Sequence, residues 1–393
     1  MTLSADAIYL DYQATTPMDA RVLEAMLPYL TSSFGNPHSI QHIFGQDAQD
    51  AVETARGEIA ALIGAESREI IFTSGATEAN NLAIIGAGRF RQRIGDGVAR
   101  VLTFATEHKC VLASVATLAE EGFEAEVLPV QTDGLINLDL LYEKLKTPTT
   151  LVSLMAVNNE IGTIQPIAEA ARLTRAAGAL LHVDAAQATG KIPLDISATD
   201  IDLLSISAHK MYGPKGIGAL YIRRRPRARL LPLIHGGGQE RGFRSGTLPA
   251  PLCVGFGKAA VLAKAEMPDE AQRLARMRAS FLAALDKTGS RYTINASMEC
   301  RILGNLNLSF NGADALPLIN AVPNVAISTG SACSSAFVEP SYVLKAIGLS
   351  TADAARSVRI AFGRQTTEDE AIRAAELLAN AAADVARMNA AAE

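Results

Sequence analysis

The feature that most constrains this chain is a repeated alternation of amphipathic helical stretches with short runs that are apolar at every position. Val52, Ala55, Ile59, Leu62 and Ile63 fall on one helical face, Gly64 stops the turn, and Ile70-Ile71-Phe72 follows. The pairing recurs at 167–177 with 180–183, and further apolar runs surround Leu203 and Leu220. A strand with no polar face is buried on both sides, and a helix between two such strands is the crossover of a parallel sheet. The pattern predicts an α/β fold, a large domain with a mostly parallel sheet flanked by helices. Near Ala263 it changes to a charged helix over 268–285, read as the start of a smaller α+β domain. Thr367-Glu368-Asp369-Glu370 then forms a capping box opening an alanine-rich final helix.

Lys210 is the residue on which chemistry centres. It follows the apolar run 201–206 and sits in Ser207-Ala208-His209-Lys210-Met211-Tyr212-Gly213-Pro214-Lys215-Gly216, a strand opening into a polar turn. Partial desolvation there lowers an amine's pKa from about 10.4 towards neutrality, the form that condenses with an aldehyde. A Schiff base with pyridoxal phosphate is the chemistry this suits. A lone lysine at a turn is ordinarily a surface residue; its company argues otherwise. Asp184 ends the strand-like run 180–183, where a carboxylate suits a pyridinium nitrogen, and Gln187 three residues on suits the ring's phenolic oxygen. Thr73-Ser74-Gly75-Ala76-Thr77-Glu78 reads as strand, glycine turn and helix start, so the Ala76 and Thr77 amides and the Thr77 hydroxyl make a phosphate cradle.

With these motifs in order, the chain resembles the pyridoxal-phosphate cysteine desulfurases of the NifS/IscS type, in the class V aminotransferase group of PLP fold type I. The resemblance covers nearly the whole chain: Tyr9-Leu10-Asp11-Tyr12-Gln13-Ala14-Thr15-Thr16-Pro17, Phe34-Gly35-Asn36-Pro37, Glu107-His108-Lys109, Val157-Asn158-Asn159-Glu160-Ile161-Gly162, His235-Gly236-Gly237-Gly238-Gln239-Glu240, Arg244-Ser245-Gly246-Thr247 and Ser331-Ala332-Cys333-Ser334-Ser335. It implies a large cofactor-binding domain over 17–263 and a small domain formed by 1–16 with 264–393. It implies that His108 stacks on the ring and moves protons, that Asn159 meets the ring oxygen or substrate carboxylate, and that Arg359 pairs that carboxylate with its planar fork. Ser207 and His209 add phosphate donors. Thr247 reaches the neighbouring subunit's phosphate, so a homodimer follows.

The resemblance makes Cys333 the sulfur acceptor: its thiolate attacks the sulfur of L-cysteine, L-alanine leaves, and a persulfide remains. The company of Cys333 agrees, a run of small residues expected to be exposed and mobile. Cys253 reads as a buried small hydrophobe; Cys110 and Cys300 carry no motif, although Cys110 lies two residues from His108. Gly330-Ser331-Ala332-Cys333 matches the family's long-loop group. The chain stops at Glu393 without the tail that housekeeping members use to dock an iron-sulfur scaffold, leaving the sulfur-acceptor protein open among cluster assembly, nitrogenase maturation and tRNA or DNA sulfur modification. Three other readings stand beside this one: a selenocysteine or cystine-type lyase, which needs Cys333 less; a class V aminotransferase, which gives Cys333 no task; and a dimeric docking scaffold without chemistry.

Composition excludes more than it selects. The chain has 393 residues, 49% hydrophobic and 20% charged, enough for a large core and more than one domain. A net charge of -5 argues against a general nucleic-acid binder. No apolar run spans a membrane and no export leader is evident, so a cytoplasmic protein is expected. Four cysteines without metal or disulfide spacing fit a reducing compartment, and no metal site is expected. The basic run 223–229 reads as a solvated loop, with docking of an acidic partner as the alternative.

Overall fold

The computed structural model describes residues 6–95, 97–329 and 340–392. Its strands are β1 (Ile8–Tyr9), β2 (Ile70–Thr73), β3 (Arg100–Phe104), β4 (Glu124–Leu128), β5 (Leu151–Met155), β6 (Leu180–Asp184), β7 (Leu203–Ser207), β8 (Gly218–Ile222), β9 (Tyr292–Ile294), β10 (Asn305–Phe310), β11 (Val325–Ala326) and β12 (Ser357–Ala361). Seven of them form the main sheet in the order β2-β8-β7-β6-β5-β3-β4. Only β8 in this sheet runs against its neighbours; the β7-β6-β5-β3-β4 pairings are all parallel.

Alternate residues of these strands feed two cores, which explains why the runs are apolar throughout. Ile70, Phe72, Leu102, Phe104, Leu204 and Ile206 face a core shared with helix Ile43–Ile63. Ile71, Val101, Leu203 and Leu220 face another, shared with helices Ala76–Ile94 and Lys109–Glu120. The predicted face of Val52, Ala55, Ile59, Leu62 and Ile63 is buried, and Gly64 ends that helix in the left-handed region at φ 73°, which glycine adopts without steric cost.

A third core joins Ile8 and Leu10 to Leu306, Leu308, Phe310, Val358 and Ile360, covered by Ala371, Ala374, Ala375 and Leu378 of helix Glu368–Ala392. Here β10 pairs antiparallel with β9 and β12, while β1 lies parallel to β11. The capping box is formed: the Glu370 amide donates to Thr367 Oγ1, and the Thr367 amide donates to Glu370 Oε2.

The predicted helix over 268–285 is not separate; it is the second half of one helix, Ala250–Lys287, with Pro268 inside it. Proline removes an intrahelical hydrogen bond, at a cost of about 3 kcal/mol in an isolated helix. Packing at both ends offsets this: Cys253, Phe256 and Ala260 belong to the sheet's core, and Met277, Phe281 and Leu285 to the third core. The change of composition near Ala263 therefore marks a change of core within one helix.

Candidate active site

Parallel strands deliver their carboxyl ends to a common edge, and Lys210, Asp184, Gln187 and His108 gather there. Beyond β7 a single turn, Ala208–Lys210, presents the half-buried Lys210, whose Nζ donates to the carbonyls of Gln13 (2.6 Å) and Ala14 (2.7 Å). At the end of β6, buried Asp184 accepts from the Ala186 amide (2.9 Å) and from Asn80 Nδ2 (2.7 Å). Gln187 is buried too, donating to the Gln13 carbonyl at 2.8 Å. Gln13 thus collects both Lys210 and Gln187.

His108 caps helix Lys109–Glu120, its Nδ1 accepting the Cys110 amide at 3.2 Å. The Cys110 thiol lies 3.0 Å from the same nitrogen, and burial pushes that thiol up to about 11. Nδ1 is thereby occupied as an acceptor, leaving Nε2 as the protonated nitrogen of the neutral ring. Burial lowers the His108 pKa, partly opposed by the nearby Asp184 carboxylate. Glu107 beside it is wholly buried, and desolvation holds its carboxyl well above the usual range despite the donated Met155 amide (2.7 Å).

The segment expected to cradle a phosphate rests on close backbone approach. Gly75, at φ 155°, precedes helix Ala76–Ile94, whose first-turn amides at Ala76 and Thr77 have no intrahelical acceptor. A Cβ at Gly218 would lie 2.7 Å from Gly75 Cα, so β8 must carry glycine there. Ser207 ends β7 buried, and His209 Nδ1 lies 3.1 Å from Thr15 Oγ1; burial and the nearby lysines push the His209 ring down to about 4, leaving it neutral.

Asn159 and Arg359 meet directly: an Arg359 terminal nitrogen donates to the Asn159 carbonyl at 2.8 Å, and the other pairs with Asp11 at 2.7 Å. Asn159 Oδ1 and Arg359 Nε are buried and have no partner among the described residues. Thr247 stands apart, exposed on the loop before helix Ala250–Lys287, although Arg244 of that loop pairs with Glu78 of the cradle helix at 2.9 Å. Cys333 lies outside the described residues. The described residues flanking it are tied to this edge, Ser328 bridging to Arg359 and Ser341 donating to Glu160. Cys253 is fully buried, as expected, and burial raises its pKa.

Reasoning from the sequence missed Asp11, Gln13, Asn80 and Lys191, which hold Arg359, Lys210, Asp184 and Gln187 respectively. For Asp11 and Gln13 a signal existed, since both stand in the quoted segment 9–17. No group of three or more metal-ligating side chains occurs among the described residues.

The aminotransferase class-V family model matches residues 8–373. Curated cysteine desulfurases IscS resemble the chain closely: that of Rickettsia bellii is 52% identical over 371 residues, covering 94% of this chain and 90% of the relative. Among solved structures, a NifS-like protein superposes with a TM-score of 0.88 at 34% identity, covering 95% of this chain and 98% of the other. A structure described as SspA in complex with cysteine gives 0.81 at 38% identity, over 92% and 100% of the two chains. The chain belongs to the class-V aminotransferase family, in its cysteine desulfurase branch of the NifS/IscS type.

Proposed function

We propose that this chain is a pyridoxal-phosphate-dependent cysteine desulfurase, converting L-cysteine to L-alanine and keeping the sulfur as a persulfide on Cys333. The observation that carries this reading is the convergence of Lys210, Asp184, Gln187 and His108 on one sheet edge, with Arg359 reaching the Asn159 carbonyl there from β12, in a chain 52% identical to a cysteine desulfurase.

The donor set fits the cofactor. Asp184 is an anion for a pyridinium nitrogen, Gln187 has an N–H left for a phenolic oxygen, and the Ala76 and Thr77 amides face outward for phosphate. Asn159 Oδ1 and Arg359 Nε, without a partner among the described residues, are polar atoms that a bound molecule would satisfy. When bound, pyridoxal phosphate supplies an aldehyde to join an amine and a ring that stores the electron pair released at Cα.

The chain's own residues do the rest. Arg359, locked by Asp11, fixes the substrate carboxylate and so orients Cα towards Lys210, whose amine takes and returns the proton there. Asp184, held by Asn80, keeps the ring nitrogen protonated. His108 presents Nε2 to the site and moves a proton at the substrate thiol. The Cys333 thiolate forms the new S–S bond as the carbon-sulfur bond breaks; that electron pair stays with the carbon skeleton, which is protonated and leaves as L-alanine.

The same reading makes the protein a homodimer in which Thr247 completes the neighbour's phosphate site, with 17–263 as the large domain and 1–16 plus 264–393 as the small one. Support for the dimer is an apolar surface of Leu27, Leu30, Phe34, Ile43 and Phe44, with Phe34 71% exposed and stacked on Phe44 at 5.9 Å. The separate core under β10 supports the domain division. The sulfur then passes to an acceptor protein such as an iron-sulfur scaffold, in a cytoplasmic setting. No described helix is long and apolar enough to cross a membrane.

The test is the visible spectrum of the purified protein with pyridoxal phosphate, followed by alanine formation from L-cysteine, beside Lys210→Ala. A bound-cofactor band with alanine formation, both lost in the variant, is the expected result. A wild-type protein with no cofactor band would overturn the reading.

A further inference from the structure

Lys191 was no part of the expected machinery, yet its Nζ donates to Gln187 Oε1 at 2.7 Å. Gln187 in turn donates through Nε2 to the Gln13 carbonyl at 2.8 Å, the same oxygen that accepts from Lys210 at 2.6 Å. A primary amide has one acceptor oxygen and two N–H groups, so its two flipped orientations present opposite patterns. Here both ends are specified. Flipping Gln187 would set its oxygen against the Gln13 carbonyl, a repulsive contact in either state of Lys191, and its NH2 against the Lys191 amine, repulsive whenever that amine is protonated. In the orientation held, one N–H is spent on Gln13 and the other remains for an external acceptor.

The surroundings of Lys191 explain why only a specific role would keep it. It lines a cavity of about 260 Å³ between the sheet's core and the third core, among Ile192, Met267, Leu274 and Phe362. No ion pair joins Lys191 to a carboxylate among the described residues. Desolvation and the nearby Lys210 push its amine down to about 7, Glu270 opposes this, and Arg359 adds a small push in the same direction as Lys210. An amine placed at such a cost in solvation serves the contact it makes.

We propose that Lys191 is a positioning residue for the cofactor: it fixes the Gln187 amide so that the free N–H faces the phenolic oxygen of bound pyridoxal phosphate. This rests on the cofactor reading above. Lys191 touches neither substrate nor cofactor, and it acts through Gln187 alone.

The experiment compares wild type, Lys191→Met, Lys191→Arg, Gln187→Ala and the Lys191→Met/Gln187→Ala pair as purified holoproteins. Two properties are read: the position and pH titration of the bound cofactor's visible band, and the equilibrium release of pyridoxal phosphate. Loss of one oriented hydrogen bond is worth about tenfold in affinity. Lys191→Met is therefore expected to shift the band as Gln187→Ala does and to weaken cofactor binding about tenfold. Lys191→Arg, which keeps a donor, stays near wild type, and the double variant is no worse than Gln187→Ala. A wild-type band and affinity in Lys191→Met would overturn the proposal. So would a double variant whose loss is the product of the two single losses, because that marks a general structural defect. A wild-type protein that binds no pyridoxal phosphate would instead remove the reading beneath it.

Discussion

Asp11 and Arg359, 348 positions apart in the chain, form a 2.7 Å ion pair in which the arginine side chain is only 3% exposed. Arg359 Nε has no partner among the described residues, so within them the guanidinium keeps donor capacity in reserve. A buried arginine meeting a carboxylate contributes about 1.5–3 kcal/mol, or roughly 10- to 150-fold in binding. Arg359→Lys is expected to raise KM for L-cysteine by about that factor with a smaller change in kcat, because the ammonium lacks the planar fork. Steady-state kinetics check this, and an unchanged KM would exclude Arg359 from the carboxylate site.

Asn80 Nδ2 links Asp184 (2.7 Å) to the Cys110 sulfur (3.2 Å). Asp184→Asn removes the anion while preserving the shape, so the protein should still take up cofactor but lose about 100-fold or more in kcat. Asn80→Ala keeps the anion and removes one donor to it, with an expected loss of about tenfold. The order of the two effects is the prediction, read from alanine release.

Acid should weaken the fold through His182, which is buried between Ser153 (2.8 Å) and Ser205 (3.0 Å) and pushed by burial down to about 3. Between its ordinary value near 6.5 and about 3 the unfolded chain binds a proton that the native chain does not. This contribution to stability is present above pH 6.5 and is lost as pH falls towards 3, at about 1.4 kcal/mol per pH unit. His182→Gln should therefore show a shallower acid loss than wild type in urea titrations at pH 7, 6 and 5, and parallel curves would contradict this.

Arg56 and Glu240 form a doubly hydrogen-bonded buried pair at 2.7 Å, and Glu240 Oε2 also accepts the Phe72 amide. Truncating Glu240 leaves the buried Arg56 guanidinium with only the half-exposed Glu53, 3.0 Å from its Nε. Glu240→Ala should cost about 3–5 kcal/mol in urea unfolding, and a loss under 1 kcal/mol would show that water reaches Arg56.

The strands were legible because each is apolar on both faces, a property of consecutive residues. Lys210, Asp184 and Gln187 were legible for a related reason: Asp184 ends its strand and the other two follow theirs within three positions, so the parallel sheet itself brings them together. The residues that hold them were not. Gln13 meets Lys210 across 197 positions and Asn80 meets Asp184 across 104, and no local spacing encodes either contact. Lys191 is only four residues from Gln187, but it follows Gly190 in a turn and carries no periodic pattern, so its contact depends on the tertiary fold. The helix boundary expected near 268 failed because a shift in composition accompanies a change of core without a break in the backbone.

The most direct test of the central claim is to supply L-cysteine to the holoprotein and to Cys333→Ala, measuring alanine and protein-bound persulfide in both. Wild type is predicted to form alanine and a persulfide on Cys333, and the variant to bind cofactor normally while forming neither. Alanine formation that survives in Cys333→Ala would contradict the account and mark the enzyme as a direct carbon-sulfur lyase.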